Sequence, residues 1–242
     1  MKWSISLSLL ACSALIAMQS TASNLEVKIT GEESASMVNH GEELIKVQRI
    51  QNTDSTPEDA FARTSRPCPP FCVNPLKIED GVATVAELDV VKFMETVIKD
   101  GNGVMIDART PNWYQKGTIP GSINIPYTVF EKSSDDPELA EALERLGAKK
   151  RDDVSLLRRS LEKVGLFNGE DKTDLWDFSD VSYVLLWCNG PWCGQSPRAI
   201  RALVSLGFPE DKLYYYRGGM QMWQSLGLSV VMPENISTHA SK

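Results

Sequence analysis

From about Gly81 onward, short apolar runs alternate with stretches of helical length, and this alternation leaves few architectures open. A brief run of apolar residues between turn signals reads as a strand buried on both faces. Repeated strand–helix alternation reads as a mostly parallel sheet covered by helices on both sides. Val181 to Trp187 is the strongest strand signal, and it runs straight into Cys188. Val104 to Ile106 predicts a second strand, ending at Asp107-Ala108-Arg109, and Ser122 to Pro126 and Leu213 to Tyr216 predict two more. Thr84-Val85-Ala86-Glu87 has the pattern of a capping box, and Leu88, Val91, Met94 and Ile98 then repeat at helical spacing. Further helices are predicted to start at Asp136-Pro137, over Leu156 to Val164, over Ser196 to Leu206 and over Met220 to Leu226.

The segment before this region is organised differently. Lys2 is the only charge before Glu26, and an apolar stretch from Ile5 to Met18 gives way to small polar residues. That layout predicts a signal peptide over residues 1–22, cut after Ala22, and an exported, periplasmic-type location. It is favoured over a lipobox at Cys12 and over an uncleaved anchor, so no membrane span is expected after cleavage. Residues 23–76 read as an extension. Leu25 to Ile29 and Leu44 to Ile50 alternate as strands would, predicting a small hairpin with a long loop. Pro67-Cys68-Pro69-Pro70-Phe71-Cys72 is too proline-rich for a helix or a central strand. Residues 77–233 form the main domain, with a charged helical insertion over 131–180, and 234–242 a loose tail in which Asn235-Ile236-Ser237 matches a short glycosylation pattern.

Composition narrows the partners. A formal net charge of −7 argues against a phosphate-tracking nucleic-acid binder. Lys149-Lys150-Arg151 is followed at once by two aspartates and reads as a solvated helix face. His40 and His239 are the two histidines, both in polar stretches expected to be exposed, so neither a metal site nor a Cys-His hydrolase is expected.

Past the signal the cysteines form two close pairs, Cys68 with Cys72 and Cys188 with Cys193. In an oxidising compartment such pairs can form disulfides, and spacing alone leaves three pairings open. Cys188 stands where a parallel strand meets its following loop, the usual ligand position of an open α/β sheet. Asn189, Gly190, Pro191, Trp192, Cys193, Gly194 and Gln195 then form a loop able to turn its N–H groups inward. Ser196 suits the N-cap and Pro197 the first turn of a helix whose positive end points back at the loop. These surroundings favour a thiolate nucleophile. A buried core cysteine, or half of a structural disulfide, fits the local sequence equally well.

A family resemblance tips that balance. Val104 to Phe130, with Asp107, Arg109 and Gly117 through Pro126, resembles the opening of a rhodanese domain. Tyr216 to Leu228, with Gly218, Gly219 and Trp223, resembles its closing signature. The family's active cysteine lies at the end of the strand between the two, where Cys188 stands. The resemblance covers about residues 80–232. It implies a five-stranded, mostly parallel sheet with helices on both faces, and sulfur transfer through a Cys188 persulfide. A small sulfur-containing anion such as thiosulfate would be the donor and a thiol the acceptor, with no metal or organic cofactor. It also implies that Asp107 and Arg109 tie strand ends together. Similar exported rhodanese-like proteins carry both cysteine pairs, with an N-terminal Cys-Pro-Pro-Phe-Cys segment; Cys68 and Cys72 then read as a structural staple or as a redox partner of the Cys188 loop.

The chain departs from the family at the loop. Six residues, rather than four, separate Cys188 from the position of the family arginine, which holds Gln195 here. That argues against phosphatase activity and leaves Arg198 or Arg217 to supply positive charge. The histidine often found before Ile-Pro-Gly is Thr118. Trp192 can wall the pocket or cover the core. A shifted register would make Cys193 the nucleophile, with four residues between it and Arg198. Cys193 also stands where a resolving cysteine could attack a Cys188 persulfide. Three functions follow: a sulfurtransferase, a thiol–disulfide oxidoreductase using Cys188 and Cys193, and a catalytically silent fold that binds a partner, with the long segment between Pro126 and Val181 as lid or partner surface.

Overall fold

The computed structural model describes residues 26–151 and 175–233. The predicted signal segment up to Ala22, the helix over Leu156 to Val164 and the tail after residue 233 lie outside the described residues. Nine strands are described: β1 (Ala35–His40), β2 (Glu43–Gln48), β3 (Ala83–Val85), β4 (Gly103–Asp107), β5 (Ser122–Asn124), β6 (Lys149–Lys150), β7 (Trp176–Asp177), β8 (Tyr183–Trp187) and β9 (Leu213–Tyr216). Five of them form the central sheet in the order β3-β9-β8-β4-β5, and every pairing in it is parallel. The expected five-stranded α/β sheet is therefore the observed one.

The strands are apolar throughout because both faces are covered. On β8, Val184 and Leu186 pack into one core with Ile106 and with Leu143, Ile200 and Leu203 from the Pro137–Arg145 and Gln195–Ser205 helices. Leu185 and Trp187 point the other way, into a second core with Met105, Val90, Met94 and Trp223. This period of two, with each face buried, turns an alternating strand into a continuous apolar run.

Three local expectations change. The first helix (Glu87–Phe93) is capped by Ala86, whose N–H donates to Asp89 at 2.9 Å, while Thr84 lies in β3. Its buried positions are Val90, Val91 and Phe93; Leu88 is exposed, and Met94–Ile98 continues as a π-helical turn. In the extension the hairpin pairs β1 with β2, so the first strand is Ala35–His40 rather than Leu25 to Ile29. A two-residue turn at Gly41, where φ is 61°, closes it with less entropy loss than a long loop. Its inward face carries Ser36, Val38 and His40, and the two polar members hid the strand's alternation. His40 is accordingly buried, its Nδ1 accepting the Gly121 N–H at 3.2 Å. Lys149–Lys150 forms the short strand β6 against β7 instead of a helix face, though both lysines are exposed as expected.

The extension is folded onto the main body. Val38, Val47 and Phe61 belong to the second core. Arg49 Nε donates to the Leu226 carbonyl at 2.7 Å, and Gln221 Nε2 to the Phe61 carbonyl at 3.0 Å. Among the described residues no helix is long and apolar enough to cross a membrane.

Candidate active site

Sheet order decides where a site can form. The chain leaves β4 toward β5 on one side, whereas β8 leads to β9 on the other. The loops after β4 and β8 therefore diverge, opening a crevice at the carboxyl ends of these neighbouring strands. Asp107 ends β4, and Cys188 follows β8 directly.

Asp107 and Arg109 make the floor of this crevice. Both are fully buried, and they pair through Nε at 2.8 Å and Nη2 at 2.6 Å. Arg109 also donates to the Gly117 carbonyl, and Thr118 donates its hydroxyl to Asp107 at 2.9 Å. The guanidinium lies 4.7 Å from the Trp187 ring and reaches Asn189 Oδ1 at 3.5 Å. The pair thus links the end of β4 to Gly117 and to the loop at Asn189.

The loop from Asn189 to Gly194 folds back over Cys188. Cys193 N–H closes a turn onto the Gly190 carbonyl at 2.9 Å. The last helix (Gly219–Ser225) clasps the loop from the other side: Met220 N–H donates to the Cys188 carbonyl and Gln221 N–H to the Asn189 carbonyl, each at 3.0 Å. Gly219 adopts φ 54°, and a Cβ there would collide with the Cys188 carbonyl. The paired glycines of the closing motif are thus needed for close backbone approach.

The helix after the loop begins at Gln195 with Gly194 as N-cap, one residue earlier than expected. Ser196 is therefore inside the first turn, and its hydroxyl is free to point at Cys188 Sγ, 3.1 Å away. The Cys193 side chain and the backbone of Ser196 and Gly190 also favour negative charge on this sulfur. Burial pushes the Cys188 thiol up, but these donors outweigh it and bring it down to about 7. Cys193 moves the opposite way: burial, its hydrogen bond to Cys188 and the neighbouring negative charge hold its proton well above the usual thiol range. Of the two buried thiols, Cys188 is the first to lose its proton. In its thiol form Cys188 can instead donate to the Cys193 carbonyl at 3.2 Å, and the Cys193 thiol points at Gln195 Oε1, 3.7 Å away. This asymmetry favours Cys188 over Cys193 as nucleophile.

The structure commits both candidate arginines elsewhere. Arg198 is exposed, forms a bidentate pair with Glu131 at 2.6 Å through each nitrogen and lies over Tyr127. Arg217 donates to the Asn74 carbonyl at 2.8 and 3.2 Å and so ties down the extension. Trp192 is buried, with its Nε1–H on Gln221 Oε1 at 2.7 Å.

What the sequence reading missed is the cover over the loop. Asn74 donates to the Pro191 carbonyl through both its backbone and side chain, at 2.8 and 3.2 Å. Cys68 and Cys72 are joined by a disulfide, and Phe71 between them packs edge-on to Trp192 with ring centroids 5.6 Å apart. Arg66 lies over the Trp192 ring at 3.7 Å. These residues sit in an aperiodic polar stretch more than 110 positions from the loop, and no local pattern announces their destination.

Residues 91–226 match the rhodanese-like domain family. The matched segment leaves out the extension with Cys68 and Cys72. No curated protein matches the chain. Similar solved structures include a protein of unknown function from Rhodopseudomonas palustris described as a possible tyrosine phosphatase, at 17% identity and TM-score 0.37, covering 62% of this chain and 85% of that one. The human single-domain sulfurtransferase is 18% identical with TM-score 0.34, covering 59% of this chain and 96% of its own. A thiosulfate sulfurtransferase from Pseudomonas aeruginosa is 18% identical with TM-score 0.32, the match covering 62% of this chain and 20% of that one. With the family match spanning more than half of its length, the chain belongs to the rhodanese-like domain family.

Proposed function

We propose that the protein is an exported sulfurtransferase that carries sulfane sulfur as a persulfide on Cys188. One observation carries this reading: the buried Cys188 sulfur lies at the start of the Gln195–Ser205 helix with the Ser196 hydroxyl donating to it at 3.1 Å. A hydroxyl donor and a helix N-terminus meeting at one buried sulfur stabilise negative charge there, as a thiolate or as a persulfide anion. The Cys188 thiolate attacks the outer sulfur of thiosulfate or of another sulfane donor. A new S–S bond forms on Cys188, the donor S–S bond breaks, and sulfite leaves with its electron pair. An acceptor thiolate then takes the outer sulfur and restores the Cys188 thiolate. Neither step consumes a metal or an organic cofactor. Export rests on the layout of residues 1–22.

The Cys193 thiol favours a second outcome at the same site. Its thiolate can attack the inner sulfur of the persulfide, closing a Cys188–Cys193 disulfide and releasing hydrosulfide. An external reductant would then be needed to reopen the disulfide, and the protein would turn over as a thiol–disulfide oxidoreductase. Intact mass after brief exposure to thiosulfate separates these readings. A gain of one sulfur atom in wild type, lost in Cys188→Ser and retained in Cys193→Ser, supports sulfur carriage on Cys188. Conversion of wild type to the disulfide, with sulfur retained only in Cys193→Ser, supports the oxidoreductase. No change in any form leaves the silent, partner-binding fold.

A further inference from the structure

Anionic sulfur donors need positive charge near the cysteine, yet the loop carries Gln195 where the family has arginine. Among the arginines around the loop, Arg109 is consumed by Asp107, Arg198 by Glu131 and Arg217 by the Asn74 carbonyl. Arg66 differs from all three. It comes from the extension, outside the matched domain, and its guanidinium is stacked on the Trp192 ring at 3.7 Å, with the Phe71 ring 5.8 Å away. One terminal nitrogen donates to the Ala60 carbonyl. Its Nε is buried and finds no hydrogen-bond partner among the described residues. Trp192 belongs to the loop that follows Cys188, so the stack sets the Arg66 charge against that loop.

We propose that Arg66 is the anion-binding residue of this site, holding the oxyanion end of a thiosulfate-like donor through its guanidinium while the outer sulfur faces Cys188. The assignment rests on the sulfurtransferase reading of Cys188. Burial and the neighbouring Arg63 lower the Arg66 affinity for its proton, and negative charge on Cys193 offsets part of that. The extension then completes the site, and the Cys68–Cys72 disulfide and the Asn74–Pro191 contacts hold Arg66 over the loop.

The test is calorimetric titration of thiosulfate into the full chain carrying Cys188→Ser, which cannot accept sulfur at Cys188. Arg66 intact is compared with Arg66→Gln and Arg66→Lys. Loss of about tenfold or more in affinity for Arg66→Gln, with a smaller loss for Arg66→Lys and a weaker salt dependence in the Gln form, is expected. Near-UV circular dichroism checks that the Trp192 environment survives in Arg66→Lys, which separates loss of charge from loss of fold. Equal affinity in the intact and Gln forms, or no binding to the intact form, overturns the assignment. Sulfur loading of the Cys188-containing chain from a neutral organic trisulfide is measured alongside. Absence of loading with the thiosulfate difference still present supports Arg66 as an anion site while removing the sulfurtransferase reading.

Discussion

Ser196 places its hydroxyl 3.1 Å from the Cys188 sulfur, and its side chain and backbone both lower the Cys188 thiol. Since the folded Cys188 thiol is lowered to about 7, the reactive thiolate is depleted as pH falls through that value and is full above it. Sulfur loading, followed by intact mass, should rise with pH to a plateau with a midpoint near 7. The stabilisation contributed by the thiolate is likewise lost as pH falls through 7. In Ser196→Ala the midpoint should move upward and loading at pH 7 should fall by about threefold or more. An unchanged midpoint would remove Ser196 from this role.

Cys193 acts on the same equilibrium through its thiol. Cys193→Ala removes a donor from Cys188, so the midpoint should again rise above 7. The same variant cannot close the intramolecular disulfide, so any persulfide on Cys188 should last longer. Alkaline titration of thiolate absorbance measures the first effect, and persulfide lifetime by mass the second. A midpoint at or below the wild-type value would contradict the hydrogen bond between the two thiols.

Gly219 is tested by one methyl group. Its φ of 54° and the Gly190 nitrogen 2.7 Å from a built Cβ leave no room for a side chain. Gly219→Ala should cost about 2 kcal/mol or more in urea unfolding. It should also slow sulfur loading by about tenfold or more, because the Cys188 carbonyl and the loop must move. Wild-type stability with wild-type loading would show that the clasp is dispensable.

Arg109 is completely enclosed, so its removal leaves Asp107 charged and buried. Arg109→Met should destabilise the fold by about 3–5 kcal/mol. Arg109→Met combined with Asp107→Leu should recover much of that loss, since the penalty lies in the unpaired charge. Chemical denaturation of the two variants decides this.

Phe61 tests whether the extension shares the core. It is buried against the main body and meets the Trp113 ring at 5.8 Å. Phe61→Ala should cost about 3 kcal/mol in a single unfolding transition. A separate early transition, with the main transition unmoved, would mean that the extension unfolds independently.

The parallel sheet was legible because its strands are buried on both sides: Val184, Leu185, Leu186 and Trp187 must be apolar whichever face they meet. The hairpin was misplaced because Ser36 and His40 occupy inward positions, so burial there is not written in hydropathy. The position of Cys188 after β8 was legible from local order. The local sequence marks Ser196 as a cap, and its hydroxyl faces the sulfur because the cap falls two residues earlier, at Gly194.

By itself, the sequence determined the α/β alternation, the family landmarks around Asp107, Cys188 and Gly218-Gly219, and the absence of an arginine at Gln195, all of them properties of adjacent residues. Only the tertiary structure decided which charges stay free, since Arg198 and Arg217 are neutral candidates until Glu131 and the Asn74 carbonyl claim them. It also decided that Arg66, Phe71 and Asn74 cover the Cys188 loop. Contacts across more than a hundred residues depend on how the extension docks, and docking is set by the summed burial of Val38, Val47 and Phe61 rather than by any local pattern.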